Sequence, residues 1–313
     1  MRKEALSESL ASEGDMMLQA LLDDLLEIPQ VAIVVPRDSR LGELPLDNGC
    51  NRIEECMVGD FDFRRIWLSL VSQCDAVWPI APETAGLLET LCADVEQAKK
   101  ILLNTPSSVV KEASSKINTL ERLHAQGLSV VPTYRLPDDG LDLSLPWVIK
   151  PDDGVGCEGI HIIRDINQRK RLLHQHSENR IVQPLVAGEP MSLSLLCQGG
   201  KAEILSLNRM NVEYVDDGFC LRCCESSKAF SKESRFQELA NGVSATFPGL
   251  WGYVGVDFLL TDSQLLVLEV NPRLTTSYAG LNQAIGYNPA RKVLAMAGLL
   301  RENQEMEQRC QQM

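Results

Sequence analysis

Gly252-Tyr253-Val254-Gly255-Val256-Asp257-Phe258-Leu259-Leu260, then Thr261-Asp262-Ser263-Gln264, then Leu265-Leu266-Val267-Leu268-Glu269-Val270-Asn271-Pro272-Arg273: this stretch decides the fold. Both arms are rich in β-branched and large apolar residues, and the four residues between them carry turn chemistry, so the segment reads as a β-hairpin. Pairing centred near Ser263 sets Asp257 opposite Glu269 and Gly255 opposite Asn271. Strand side chains alternate, so Asp257, Glu269 and Asn271 share one face. Two carboxylates side by side among Val256, Phe258, Val267, Leu268 and Val270 repel each other and resist desolvation, and a hard divalent cation compensates both costs. Magnesium suits an all-oxygen donor set and keeps phosphates and waters in its remaining positions. Arg273, just past Pro272, is placed to hold a phosphate or a developing negative charge. The alternative is an amphipathic hairpin with its carboxylates in water, which the scarcity of polar alternation disfavours.

Upstream, Trp147-Val148-Ile149-Lys150-Pro151-Asp152-Asp153-Gly154-Val155-Gly156-Cys157-Glu158-Gly159 contains a literal G-x-G-x-x-G. A dinucleotide fingerprint needs a helix to open at the loop, whereas Ile160-His161-Ile162-Ile163 is β-branched and reads as a strand; NAD binding is therefore rejected. A glycine loop between two strands suits a flap that lays backbone N–H groups over phosphates while Lys150 supplies a point charge. On these residues alone, a glycine-rich β-turn with a surface lysine stays open.

Working outward, Met17, Leu18, Leu21, Leu22, Leu25 and Leu26 give residues 1–30 a helical pattern that Pro29 ends before a strand at Val31–Val35. A second strand-like run, Asp75–Ile80, leads into Pro82-Glu83-Thr84, where proline suits a first helical turn, and apolar spacing continues through Leu87, Leu88, Leu91 and Val95. Glu83 and Thr84 stand where open α/β sheets contact ligands, and helix capping explains them equally well. Ser114-Ser115 can cap a helix built on Ile117, Leu120 and Leu123, which Gly127 stops before the strand-like Leu128–Val131. Short strand-like runs follow at 147–150, 160–164, 180–185, 191–197, 201–209, 253–261 and 265–270, with a turn at Gln198-Gly199-Gly200. The expected division is residues 1–104 as an N-terminal α/β domain, 105–186 as a central lid subdomain and 187–313 as a C-terminal catalytic domain.

The chain has 313 residues and a net charge of −13, the wrong sign for a protein that neutralises nucleic-acid phosphates. Val31–Val35 and Trp147–Ile149 are far shorter than a bilayer span, and the N-terminus reads as no secretory signal, so no membrane partner and a cytoplasmic location are expected. Ten scattered cysteines then read as reduced thiols. Cys220, Cys223 and Cys224 lack an obvious fourth metal ligand, and His124, His161, His174 and His176 form no zinc pattern. Arg169-Lys170-Arg171 reads as a solvated surface and the tail after Arg301 as a solvated helix end.

Together, residues 105–290 resemble the ATP-grasp superfamily of carboxylate–amine ligases. Ser115-Lys116 through Gly127 and Val131-Pro132 match its lysine, helix, glycine and proline order. By that resemblance Lys116 is the first phosphate-binding lysine and Lys150 the second, ahead of a flap carrying Gly154, Gly156 and Gly159. Ile181–Val186 is similar to the strand bordering adenine, implying Gln183 and Leu185 as nucleotide contacts. Asp257, Glu269 and Asn271 become metal ligands, with Arg273 and Lys150 as catalytic residues. Many members place a ribose-binding glutamate where this chain has Pro190; Glu189 is the nearest acid.

Asn271–Tyr278, with Asp153–Gly159, is similar to the tyramine–glutamate ligase family of methanofuran biosynthesis. The implied fold is α/β (α+β): a small parallel N-terminal domain, a β-rich lid and an antiparallel C-terminal sheet with ATP held between them. The implied reaction activates a carboxylate, such as glutamate, as an acyl phosphate that an amine, such as tyramine, converts to an amide. ATP with Mg²⁺ or Mn²⁺ would serve it, and a homodimer is a family analogy. A small-molecule kinase on the same scaffold is one alternative. A nucleotide sensor without turnover is another, disfavoured because a sensor needs no transition-state arginine.

Overall fold

The computed structural model describes residues 7–44, 52–59, 62–136, 145–165, 167–168, 179–215, 218–227 and 233–300. Helix α1 (Glu8–Leu26) starts at Ser7, whose side chain accepts a hydrogen bond from the Leu10 N–H, and it buries the stripe Met17, Leu21, Leu22 and Leu25. Strands β1 (Ile33–Asp38) and β2 (Ile53–Val58) pair in parallel. Helix α2 (Phe63–Gln73) and strand β3 (Ala76–Val77) follow, and after α3 (Leu87–Gln97) the strand β4 (Ile101–Leu102) pairs in parallel with β3. This is the expected small parallel α/β unit.

Two details there differ from the sequence reading. The strand expected over Asp75–Ile80 pairs only at Ala76 and Val77. No helix opens at Pro82: Ala85 and Gly86 take left-handed backbone conformations, φ 54° and 68°, and break the chain until Leu87. Glu83 makes no capping bond, so its side chain is available for another partner.

Helices α4 (Ser107–Ser114) and α5 (Lys116–Ala125) lead to a four-stranded antiparallel sheet. Its strands β5 (Tyr134–Arg135), β6 (Trp147–Pro151), β7 (His161–Ile163) and β8 (Arg180–Pro184) lie in the order β5-β8-β6-β7. Between α5 and β5 the expected strand Leu128–Val131 is reduced to one parallel bridge, Val130 to Val267.

The second large sheet takes β9 (Glu189–Gln198), β10 (Lys201–Val215), β11 (Gly218–Ser227), β12 (Gly252–Leu260) and β13 (Leu265–Asn271) in the order β11-β10-β9-β12-β13, all antiparallel. Helix α6 (Ser234–Thr246) packs on one face of it, and α7 (Leu281–Ile285) and α8 (Pro289–Met296) close the chain's described part. Strand β10 runs past the expected end at residue 209, and β2, β11, α2 and α6 carry no signal that the sequence reading used.

The two faces of this sheet differ in chemistry. Leu193, Leu195, Val254, Val256, Phe258, Val267 and Val270 pack against α5 and α6 in the largest core cluster. The opposite face carries Ser192, Ser194, Gly255, Asp257, Glu269 and Asn271. Its lower part is covered by α1, whose Met17, Leu21 and Leu25 meet Leu196, Tyr253, Tyr278 and Leu281. Its upper part remains open toward the four-stranded sheet, and the functional site lies there.

Candidate active site

The hairpin pairs as the sequence implies, Asp257 opposite Glu269 and Gly255 opposite Asn271, and one feature was not foreseen. Beyond Asp257 the register slips, Phe258 facing Val267, so Leu268 is an extra residue in β13. The bulge turns the neighbours Leu268 and Glu269 to the same side, where a regular strand would separate them, and both line the cavity below. Gly255 is required for close approach, since a Cβ there would come within 2.6 Å of Thr275 Cγ2.

The Asn271 amide nitrogen donates to Asp257 Oδ2 at 3.3 Å. Burial, and then the facing Glu269, push the Asp257 carboxyl well above the usual range. Burial also opposes ionisation of Glu269, but Lys116 and Lys150 outweigh it and bring that carboxyl down to about 2. The two carboxyls are thus driven apart, Asp257 toward its protonated form and Glu269 toward the carboxylate. Two facing carboxylates with an amide beside them form an oxygen donor set that suits Mg²⁺. Among the described residues no group of three or more His, Cys, Asp or Glu side chains is arranged to hold a metal ion.

Lys116 opens α5. Its ammonium lies 3.1 Å from Glu269 Oε2 and donates to the Gly154 carbonyl at 2.6 Å. Asp152 sets that position: one carboxylate oxygen accepts from the Ile117 N–H at 2.9 Å, the other from the Ser115 hydroxyl at 2.7 Å, and its carbonyl accepts from the Lys116 N–H at 3.1 Å. The helix start and the flap root are thus tied together. Sequence reasoning missed Asp152, although an aspartate directly after a lysine-bearing strand was visible. Lys150, on β6, is 8% exposed; burial, with Lys116 adding to it against Glu269, draws its ammonium down to about 8. Burial likewise pushes the Cys157 thiol, in the flap, up to about 12.

A cavity of about 200 Å³ lies between the two large sheets. Lys116, Lys150, Gly154, Gly156, Gln183, Leu185, Asp257 and Glu269 line it, as expected. Gln183 is anchored by a 2.8 Å bond from its amide to Thr133 Oγ1. Four expected residues stand elsewhere. Gly159 closes the flap base, its carbonyl accepting from Arg180 at 3.0 Å. Glu189, at the start of β9, is not among the residues lining the cavity, although its neighbours Gly188 and Pro190 are; its carboxylate pairs with Arg209. Asn271 lies behind Asp257, and Arg273 is held by Glu83, Nε to Oε2 at 2.8 Å. Met210, Val212 and Tyr214 add a wall that sequence reasoning left unread; their alternate spacing along β10 was the available signal.

Cys220, Cys223 and Cys224 are free thiols. His174, His176, Arg169-Lys170-Arg171 and the tail after Arg301 lie outside the described residues. No described helix is long and apolar enough to cross a membrane.

Two stacked sheets enclosing a lysine-rich cavity, a glycine flap and a carboxylate hairpin define a class, and comparison with known proteins agrees: an ATP-grasp domain matches residues 113–277 and a pre ATP-grasp 3 domain residues 31–110. The chain belongs to the ATP-grasp family. Among its relatives is the tyramine–L-glutamate ligase of Methanocaldococcus fervens, 28% identical over 274 residues, spanning 88% of this chain and 84% of that one. An ATP-grasp superfamily protein from Archaeoglobus fulgidus superposes with a TM-score of 0.67 at 23% identity, covering 93% of this chain and 84% of its own. The biotin carboxylase domain of Hydrogenobacter thermophilus 2-oxoglutarate carboxylase, solved with MgADP, gives a TM-score of 0.73 at 15% identity over 93% of this chain and 69% of that chain.

Proposed function

We propose that this chain is an ATP-dependent ligase that activates a carboxylate as an acyl phosphate and joins it to an amine. The observation that carries the reading is the convergence of Lys116, Lys150, Asp257 and Glu269 on one cavity beneath a glycine flap. Lys116 and Lys150 neutralise and align the triphosphate, and the flap, Asp152 to Gly159, lays backbone N–H groups over it. Asp257, Glu269 and the Asn271 amide oxygen would hold Mg²⁺, which spreads the phosphate charge during transfer. A substrate carboxylate oxygen attacks the γ-phosphorus and ADP leaves. The amine nitrogen then attacks the acyl carbon, phosphate departs, and the nitrogen loses a proton to give the amide. Arg273 offers its guanidinium to the anionic charge that builds at the transferring group. No protein nucleophile is needed. Closure of the flap keeps water from the acyl phosphate.

For the substrates, the relative from Methanocaldococcus fervens supports glutamate as the acid and tyramine as the amine. A place in methanofuran biosynthesis follows only from tyramine as the amine. The deciding experiment incubates the protein with ATP, Mg²⁺, a panel of amino acids and a panel of amines, and follows ADP and mass-detected condensation product. Amine-dependent ADP release with an amide product is expected; ADP release and a stable phosphorylated product without amine would make it a kinase. Glu269→Gln and Asn271→Ala each lower ADP formation by about 100-fold or more while circular dichroism stays unchanged. Full turnover in either variant removes the metal assignment.

A further inference from the structure

Glu83 is 5% exposed, and its two carboxylate oxygens have different fates. Oε2 accepts the bond from Arg273, whereas Oε1 is buried without a hydrogen-bond partner among the described residues. A buried carboxylate oxygen with no donor is a destabilising arrangement that a bound cationic group relieves. The residues that follow fix its place at the root of the flap: Thr84 Oγ1 donates to the Asp153 carbonyl at 3.0 Å and the Ala85 N–H to Asp153 Oδ2 at 2.9 Å.

A second acid faces the same guanidinium from α1. Glu13 is half-buried and lies against the flap, where a Cβ on Gly156 would meet both its carboxylate oxygens at 3.2 Å. Burial raises its pKa, Arg273 draws it down and Glu158 pushes it up, so Glu13 stands in the field of both. Glu158 in turn accepts from the Ser7 hydroxyl at the start of α1. Glu83 and Glu13 therefore bring carboxylates from two separate segments to one guanidinium, which also stands in the field of Asp257 and Glu269. Lys116 and Lys150 put positive charge on the cavity, whereas Glu83 and Glu13 put negative charge beside Arg273.

From this juxtaposition we infer that Glu83, supported by Glu13, is the receptor for a primary ammonium group of the organic substrates. The inference rests on the ligase reading and deepens it, because both an amine co-substrate and an amino-acid substrate bring such a group. The acid would face Arg273 or the γ-phosphate, and the ammonium would take the buried, unpartnered Oε1 of Glu83.

The test uses the full chain as wild type, Glu83→Gln and Glu13→Gln, with tyramine and its uncharged analogue 4-ethylphenol, and with glutamate and glutarate, which lacks the ammonium. Hydroxylamine, uncharged at neutral pH, traps the acyl phosphate as a hydroxamate, forming the C–N bond as phosphate leaves, without needing an ammonium receptor. In Glu83→Gln the ratio of amide to hydroxamate falls by about tenfold or more if the amine supplies the ammonium. If the amino acid supplies it, the preference for glutamate over glutarate falls by a similar factor.

Equilibrium binding of tyramine against 4-ethylphenol, and of glutamate against glutarate, to the complex with Mg²⁺ and a non-hydrolysable ATP analogue reads the same discrimination without turnover. Glu13→Gln, at a half-buried position, keeps the test open if Glu83→Gln misfolds, and is expected to show the same loss to a smaller degree. Unchanged ratios and unchanged discrimination in both variants overturn the inference, as does a wild type that binds charged and uncharged analogues equally. Absence of hydroxamate with every acid counts against the ligase reading, and the binding arm still decides the ammonium receptor.

Discussion

Lys150 concentrates the chemistry of a single residue. Its ammonium is needed for phosphate binding, yet burial draws its pKa down to about 8. Nucleotide binding prefers the protonated form, so affinity is full below that pKa and is lost as pH rises through it. Calorimetric titration of ATP without Mg²⁺ is expected to show the dissociation constant rising by about tenfold per pH unit above about pH 8. Lys150→Arg, whose charge persists, flattens that rise; a wild-type affinity independent of pH would remove Lys150 from the phosphate contact. The residue types at the site were legible in the sequence because each has few alternatives: a lysine before a glycine loop, two carboxylates in an apolar hairpin. Partnerships were not. Glu83 read equally as a ligand contact or a helix cap, and only the folded chain brings it to Arg273, 190 residues away.

At the scale of elements, two small features set the site. The bulge at Leu268 lets an apolar cavity wall and the Glu269 carboxylate occupy adjacent positions on one face. The hairpin's symmetric centre near Ser263 predicted the Asp257–Glu269 pair correctly, but next to the turn the pairing, Leu260 with Leu265, is centred half a residue earlier, and the bulge restores the expected register. The other feature is Asp152, which caps α5 and places Lys116 against Glu269. Asp152→Ala removes that cap and is expected to cost about 1–2 kcal/mol in urea denaturation. The same variant weakens nucleotide binding by more than Ser115→Ala does, because Asp152 also ties the flap root to the helix. Equal effects of the two variants on nucleotide affinity would show the cap to be merely structural. Strand β11 and the end of β10 escaped the sequence reading because many of their residues, such as Glu213, Arg222 and Glu225, are polar and exposed and mimic a loop.

Across the whole molecule, α1 is the element that joins the ends of the chain. Its apolar stripe divides: Met17, Leu21 and Leu25 join the core formed by Leu196, Tyr253, Tyr278 and Leu281, while Leu22 packs with Val35 and Leu44 at the parallel strands. Asp24 on α1 accepts from the Tyr278 hydroxyl at 2.6 Å and from the Asn282 amide at 2.7 Å, fixing that union with buried polar contacts. Leu21→Ala, at a position 4% exposed, is therefore expected to destabilise the protein by roughly 2–5 kcal/mol in a single urea transition. A separate early transition would mean that α1 docks independently.

The amino-acid order alone pointed to most strands of the two large sheets, the hairpin pairing and the two lysines, because these depend on local periodicity and on chemistry that few residue types can supply. Tertiary structure alone decided which acids meet Arg273, that Glu189 turns to Arg209, and which core α1 joins. Those outcomes depend on packing between segments far apart in the chain, which no local pattern encodes.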